Sequence, residues 1–170
     1  MFGKSRKRNN NLVAVSLYDQ CVSMARHPDY YTDFSIQDKV LGRFEVLALH
    51  LFLMLRRLKE DTSPLSGDIS QEICDLFVAD MDHSLRNARL SESKIDKNFK
   101  RFIEGFYGRL VAYDKGLDEG ALDAAILKNV YGDDQTYLQP GKQMAVRMTN
   151  LLDVLRQQPD VNNLNFKGEK

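Results

Sequence analysis

Three histidines and two cysteines are the side chains of this 170-residue chain best suited to metal or nucleophilic chemistry, and their spacing supports neither. His27, His50 and His83 have no metal-binding interval, and Cys21 and Cys74 form no paired-thiolate motif. Asp68, Asp75, Asp80 and Asp82 do not follow the grammar of a calcium loop. The glycines build no strand–loop–helix cradle for a phosphate. Asp80 with His83 is a generic pair one helical turn apart, lacking a nucleophile or an oxyanion site. Asp80-Met81-Asp82 resembles a metal motif on paper, yet on a helix the two acids diverge. The expectation is a protein with no catalytic residue, no metal site and no cofactor, and hence not an enzyme.

Recognition chemistry is better represented. Arg43, His50 and Arg57 are seven residues apart, almost two helical turns, so all three point the same way. Two readings stay open: a polar ridge for a carboxylate or partner, or a set of internal pairs at the edge of a core. Arginine suits the first, since its planar fork matches a carboxylate. Beside these residues runs the apolar stripe Val40, Phe44, Leu47, Leu51, Met54 and Leu58. The segment from Leu47 to Leu55 is apolar nearly all round except His50, as in a helix central to a bundle or covered by a partner. Phe52, Leu53 and Leu55 lie partly off the main stripe, and their exposure would favour binding. Further along, Asp80 falls on the apolar side defined by Ile69, Ile73, Leu76 and Phe77. A carboxylate there needs a partner, for which Arg43, Arg57 and Arg86 are candidates, while Asp82 points elsewhere. Ile95, Phe99, Phe102, Phe106, Leu110 and Tyr113 form a long stripe, in which Gly105 and Gly108 permit either a close helix crossing or a shallow entrance beside Phe106, Tyr107 and Arg109. Tyr107 and Asp114 could form its polar border.

These residues need helices to position them. A basic start with Lys4, Arg6, Lys7 and Arg8 reads as a mobile arm over 1–11. Helices are expected over about 12–26 (capped by Asn11), 35–59, 69–88, 91–117, 118–131 and 142–157. Pro28, the turn 64–68, Gly132 and Pro159 interrupt them. Gln135 to Gly141 reads as a packed loop. No strand alternates and no repeat recurs. The fold class is therefore all-α, a single-domain helical bundle of five or six main helices over 12–158, followed by a polar tail over 159–170. Lys+Arg and Asp+Glu are both 24, which argues against a general nucleic-acid binder, so no specific nucleic acid is expected. No apolar run reaches the roughly eighteen residues of a membrane span. A cytoplasmic protein is the simplest expectation.

The same residues carry a family resemblance. It begins at Leu17-Tyr18, Ala25-Arg26-His27-Pro28 and Tyr30-Tyr31, and continues through Gly42-Arg43-Phe44-Glu45, Leu49-His50-Leu51-Phe52 and Arg56-Arg57-Leu58. Phe77, Asp80-Met81-Asp82, Ser84-Leu85-Arg86, Phe106-Tyr107-Gly108-Arg109 and Ala112-Tyr113-Asp114 follow. In this order, over roughly residues 12–120, the chain resembles the ubiquinol–cytochrome c chaperone family. It departs at Asn87-Ala88-Arg89-Leu90-Ser91-Glu92, where the family reads a Glu-Met-Gly-Val-Gly-Asp-like segment.

The resemblance implies a non-enzymatic chaperone that binds newly made or immature cytochrome b during cytochrome bc complex assembly. The client would be cytochrome b or another hydrophobic membrane-protein segment. Mitochondrial members act with a small partner protein and near the ribosomal exit, so contact with the inner-membrane surface or a ribosome is the matching expectation. Partner-binding residues would be Arg43, Phe44, His50, Phe52, Arg57, Phe106, Tyr107, Arg109 and Tyr113, with Asp80, Asp82 and Arg86 in structural polar roles. The alternatives are a general helical interaction scaffold and an RNA-associated adaptor using the basic arm.

Overall fold

A helix that is apolar on every side has to be surrounded, and the third helix is. The structure is a computed structural model describing residues 2–87 and 92–167. Helix α3 (Val40–Lys59) is buried at every position from Phe44 to Met54. It packs against α1 (Phe2–Met24), α4 (Pro64–Asn87), α5 (Glu92–Asp118) and α7 (Leu138–Arg156). Helix α1 also lies along α4, and α6 (Leu122–Tyr131) bridges α5 and α7. A short helix, α2 (Asp29–Thr32), and two 3-10 turns complete the chain. The architecture is the all-α bundle expected, with no strand among the described residues. Each fully buried leucine of α3 stabilises it by about 1.5–3 kcal/mol, and Leu49, Leu51 and Leu53 are all sealed.

Helix boundaries differ from expectation where side chains satisfy the backbone in other ways. Helix α1 starts at Phe2, because the Lys- and Arg-rich segment after Gly3 contains no breaker. Asn11 is therefore inside the helix, and its amide donates to Glu72 of α4 rather than capping. Helix α4 begins at Pro64, whose missing N–H costs nothing in the first turn, and Ser63 Oγ accepts from Leu65 N at 3.2 Å. Pro140 is tolerated in the first turn of α7 for the same reason, so the expected loop 135–141 is a 3-10 turn (Gln135–Tyr137) running into helix. The expected helix start at Ser91 and the divergent turn 88–91 lie outside the described residues.

Two features set the ends of α3. The chain before it, 33–39, is not helical: Ser35 sits at φ 56°, and Lys39 precedes the helix in extended conformation without a side-chain cap. Gly42 accommodates this turn, since a Cβ there would lie 1.9 Å from the Gln37 carbonyl. At the other end Arg57 reaches across to the C-terminus of α7. Its Nε donates to the Leu155 carbonyl at 3.1 Å and Nη2 to the Gln158 carbonyl at 2.8 Å. The Leu155 carbonyl also accepts from Gln158 N at 3.2 Å, so the guanidinium supplements the backbone at the end of α7 and ties down the residues just beyond it.

Residues 159–167 are docked, in contrast to the polar tail expected there. Val161, Leu164 and Phe166 are buried in the core, and Phe166 meets the His50 ring edge-on at 5.4 Å. Gln158 brackets the segment, donating to the Asn165 carbonyl and accepting from its N–H, while Gln20 donates to the Leu164 carbonyl. Apolar residues at positions 161, 164 and 166 supply the driving force that the adjoining asparagines conceal.

Candidate functional site

Phe44 lies at the centre of a groove on the bundle surface. Its ring meets Phe102 of α5 edge-on at 5.3 Å and tilts against Phe77 of α4 at 6.3 Å. Phe77 in turn stacks on Phe106 at 4.0 Å. This aromatic row holds α3, α4 and α5 at fixed spacing. Two lobes share Phe44 and Phe102. One, of about 340 Å³, is lined by Val22, Leu47, Met81 and Leu85 with Arg26, Arg43 and Asp80 at its edge. The other, of about 460 Å³, is lined by Leu41, Glu45, Asn98, Gly105, Arg101 and Arg109.

The lip of this groove is apolar. Val40 is 76% exposed and Leu41 64% exposed, in the first turn of a helix that is buried throughout from Phe44 to Met54. Val40 therefore does not belong to the core stripe in which its spacing puts it. Solvent contact at two adjacent large aliphatic side chains, next to open apolar walls, is what a partner-covered surface presents.

The polar residues of the groove are held by neighbours. Arg109 Nε donates to Glu45 Oε2 at 2.6 Å, its Nη2 pairs with the other oxygen, and Nη1 donates to the Gly105 carbonyl at 2.9 Å. The guanidinium also lies over the Phe44 ring at 5.0 Å. Burial pushes the Glu45 carboxyl above its usual range, against the pull of Arg109. Gly105 is thus the shallow entrance, not a crossing point; the close helix approach is at Gly116, where a Cβ would be 3.1 Å from the Ala121 carbonyl. Tyr113 lies deeper, its hydroxyl buried without a hydrogen-bond partner among the described residues. Burial first and the Glu45 charge second raise its pKa.

Arg43, His50 and Arg57 do not form a shared ridge. Arg43 is exposed and bonded to Asp38 at 2.6 Å, which holds the Asp38 carboxyl below its usual range. His50 is fully buried: its Nδ1–H donates to the Val46 carbonyl at 2.8 Å, and its Nε2 accepts from the Tyr30 hydroxyl at 2.9 Å. Burial lowers its pKa to about 4, so the ring is neutral with both nitrogens engaged. The Arg147 guanidinium lies over the Tyr30 ring at 4.5 Å. Arg57 is buried against the end of α7. The two-turn spacing is real, but neighbours cover all but the first position, and the internal-pair reading describes His50 and Arg57.

Phe52, Phe106 and Tyr113 are likewise core residues, because α5 closes over that part of α3. Phe52 and Leu53 are sealed and Leu55 is half-buried, so they present no exposed cluster of the kind that would favour binding. Tyr107 is 45% exposed. With Val111 and Leu110 it flanks a smaller groove of about 310 Å³ ending at Lys59 and Asp114, so Tyr107 and Asp114 do border one surface. Asp80 finds its partner in Tyr18, whose hydroxyl donates at 2.8 Å, not in an arginine. Asp82 pairs with Arg86 at 2.7 Å along the surface of α4.

Sequence reasoning missed Val22, Met81, Leu85 and the lip pair Val40-Leu41. The available signal was the adjacency of two large aliphatics to the start of a helix whose apolar stripe needs only one of them.

Chemically the arrangement can cover apolar surface and orient charge. No cluster of three potential metal ligands occurs among the described residues, and no described helix is long and apolar enough to cross a membrane. Fold and groove define a helical binding protein. The sequence pattern of the family described as ubiquinol-cytochrome C chaperone matches residues 32–164, and the chain belongs to that family. It is similar to ubiquinol-cytochrome-c reductase complex assembly factor 1 of Xenopus laevis, at 23% identity over 175 aligned residues covering 98% of this chain and 83% of that one. It is also similar to the crystal structure of the Cbp3 homologue from Brucella abortus, at 30% identity and a TM-score of 0.82, covering 95% of this chain and 92% of that one. The role is that of a non-enzymatic chaperone in cytochrome bc complex assembly.

Proposed function

We propose that the client is immature cytochrome b and that the groove around Phe44 receives one of its apolar segments. The observation that carries this reading is the exposed pair Val40 and Leu41 at the lip of the groove, whose Val22, Leu47, Met81 and Leu85 lobe is mainly apolar. Covering such a lip removes apolar surface from water on both partners and gives a membrane-protein segment a sheltered site before assembly. Phe44, Arg43 and Arg109 border the client directly, and Tyr107 extends the contact along α5. His50, Phe52, Arg57, Phe106 and Tyr113 act from beneath, by keeping the walls at fixed spacing. The protein works at the cytoplasmic side of the inner membrane as a peripheral factor, with the basic segment 1–11 attracted to anionic headgroups.

The test is complementation. Cells in which this chain is replaced by the double variant Val40→Glu, Leu41→Glu are expected to lose the cytochrome bc complex while other respiratory complexes persist. Normal cytochrome bc content with a stably accumulated variant would contradict the groove reading. Parallel loss of several respiratory complexes would instead favour a general scaffold.

A further inference from the structure

The groove holds more cationic charge than its own acids neutralise. Four arginines line its two lobes, Arg26, Arg43, Arg101 and Arg109, against two carboxylates, Glu45 and Asp80. Arg109 is engaged by Glu45 and Arg43 by Asp38; Asp80 accepts from the neutral Tyr18 hydroxyl and so offsets one cation of its lobe, leaving the groove with a net positive charge. Arg26 and Arg101 are exposed and make no ion pair with a described residue. They belong to different lobes, Arg26 just beyond α1 and Arg101 on α5, and the lobes meet at Phe44 and Phe102. Each lobe therefore carries one exposed arginine that no described carboxylate holds, on either side of the shared Phe44 and Phe102 rings.

On the reading that this groove takes the client, we propose that it selects an apolar segment with acidic side chains at both ends. Arg26 and Arg101 are the ion-pair partners that fix its register. Apolar contact alone would let a hydrophobic segment slide. A charge at each end defines one placement and rejects segments flanked by lysine, which would set like charges against each other. A walled groove built from four elements suits a peptide chain better than a flat layer of lipid headgroups.

The experiment uses the full-length protein and three synthetic helical Leu/Phe/Ala peptides of one length, flanked by Glu, Gln or Lys, with binding read by fluorescence anisotropy. Vesicles of phosphatidylglycerol form a separate arm. The Glu-flanked peptide is expected to bind roughly three- to tenfold tighter than the Lys-flanked one at low salt, from two surface ion pairs. The preference shrinks as salt rises, and it inverts in the double variant Arg26→Glu, Arg101→Glu. Both side chains are exposed, and the variant's unchanged thermal unfolding serves as the control for folding. Equal binding of all three peptides, each abolished by Val40→Glu, would overturn the charge selection and leave the groove reading standing. Absence of binding by every peptide would overturn both. Loss of vesicle binding in the arginine variant without change in peptide preference would assign the two cations to lipid and overturn the proposal.

Discussion

The two ends of helix α3 are made of similar residues and behave oppositely. From Phe44 to Leu58 its apolar side chains, half-buried Leu55 excepted, are enclosed by α1, α4, α5 and α7, and even His50 and Arg57 are absorbed with internal partners. Its first turn, Val40 and Leu41, projects past those helices beside an open groove. Hydrophobicity is the same; the difference is what else arrives. At the enclosed end the docked segment 159–167 and the end of α7 complete the wall. At the open end the turn 33–39 folds back on Gly42 and leaves the first helical turn uncovered.

This contrast separates stability from binding, and substitutions can test the separation. The largest effect is expected in the enclosed half. Leu51→Ala should destabilise by about 2–5 kcal/mol, read by urea unfolding, because the cavity cannot collapse inside a four-sided wall. Next comes acid. In the unfolded chain His50 has the ordinary imidazole pKa of about 6.5, and in the fold about 4. The unfolded state then binds a proton first as pH falls. Stability is full above about pH 6.5 and is lost progressively down to about pH 4, by at most about 3 kcal/mol. His50→Gln should flatten that slope in unfolding free energy measured across the window. An equally steep slope would mean that other groups dominate acid sensitivity.

A smaller loss is expected from Arg57→Met, which removes the side-chain donor to the Leu155 and Gln158 carbonyls. About 1–3 kcal/mol should be lost, and limited proteolysis should cut first within 157–167. Smallest of all is the open end: Val40→Glu with Leu41→Glu should change unfolding free energy by less than about 0.5 kcal/mol while abolishing client association. A large destabilisation there would erase the distinction between the two ends.

Sequence periodicity conveyed the architecture well, because it reports which side of a helix is apolar. Val40, Phe44, Leu47 and Leu51 share one stripe, and that stripe does place α3 at the centre of the bundle. It could not report where the covering helices stop, so Val40 reads as core although it is solvent-exposed. Equal spacing likewise put Arg43, His50 and Arg57 in one row without indicating that Tyr30, Phe166 and the end of α7 cover two of them. Those partners come from positions 20 to 116 residues away in the chain, a separation that local pattern does not encode. Phe44 and Arg109, which line the groove, lie in segments that carry the family resemblance, and that is what drew attention to them in the sequence. Met81 and Leu85 were present in the matched segments but were not singled out, since their role depends on how α4 faces α5.

The most direct measurement is site-specific photo-crosslinking during synthesis of cytochrome b, with the reactive side chain placed at Leu41 in the groove or at Val146, an exposed aliphatic on α7. Crosslinks to newly made cytochrome b from position 41 and not from 146 are expected. Crosslinking from 146 alone, or equally from both, would contradict the assignment of client binding to the open end of α3.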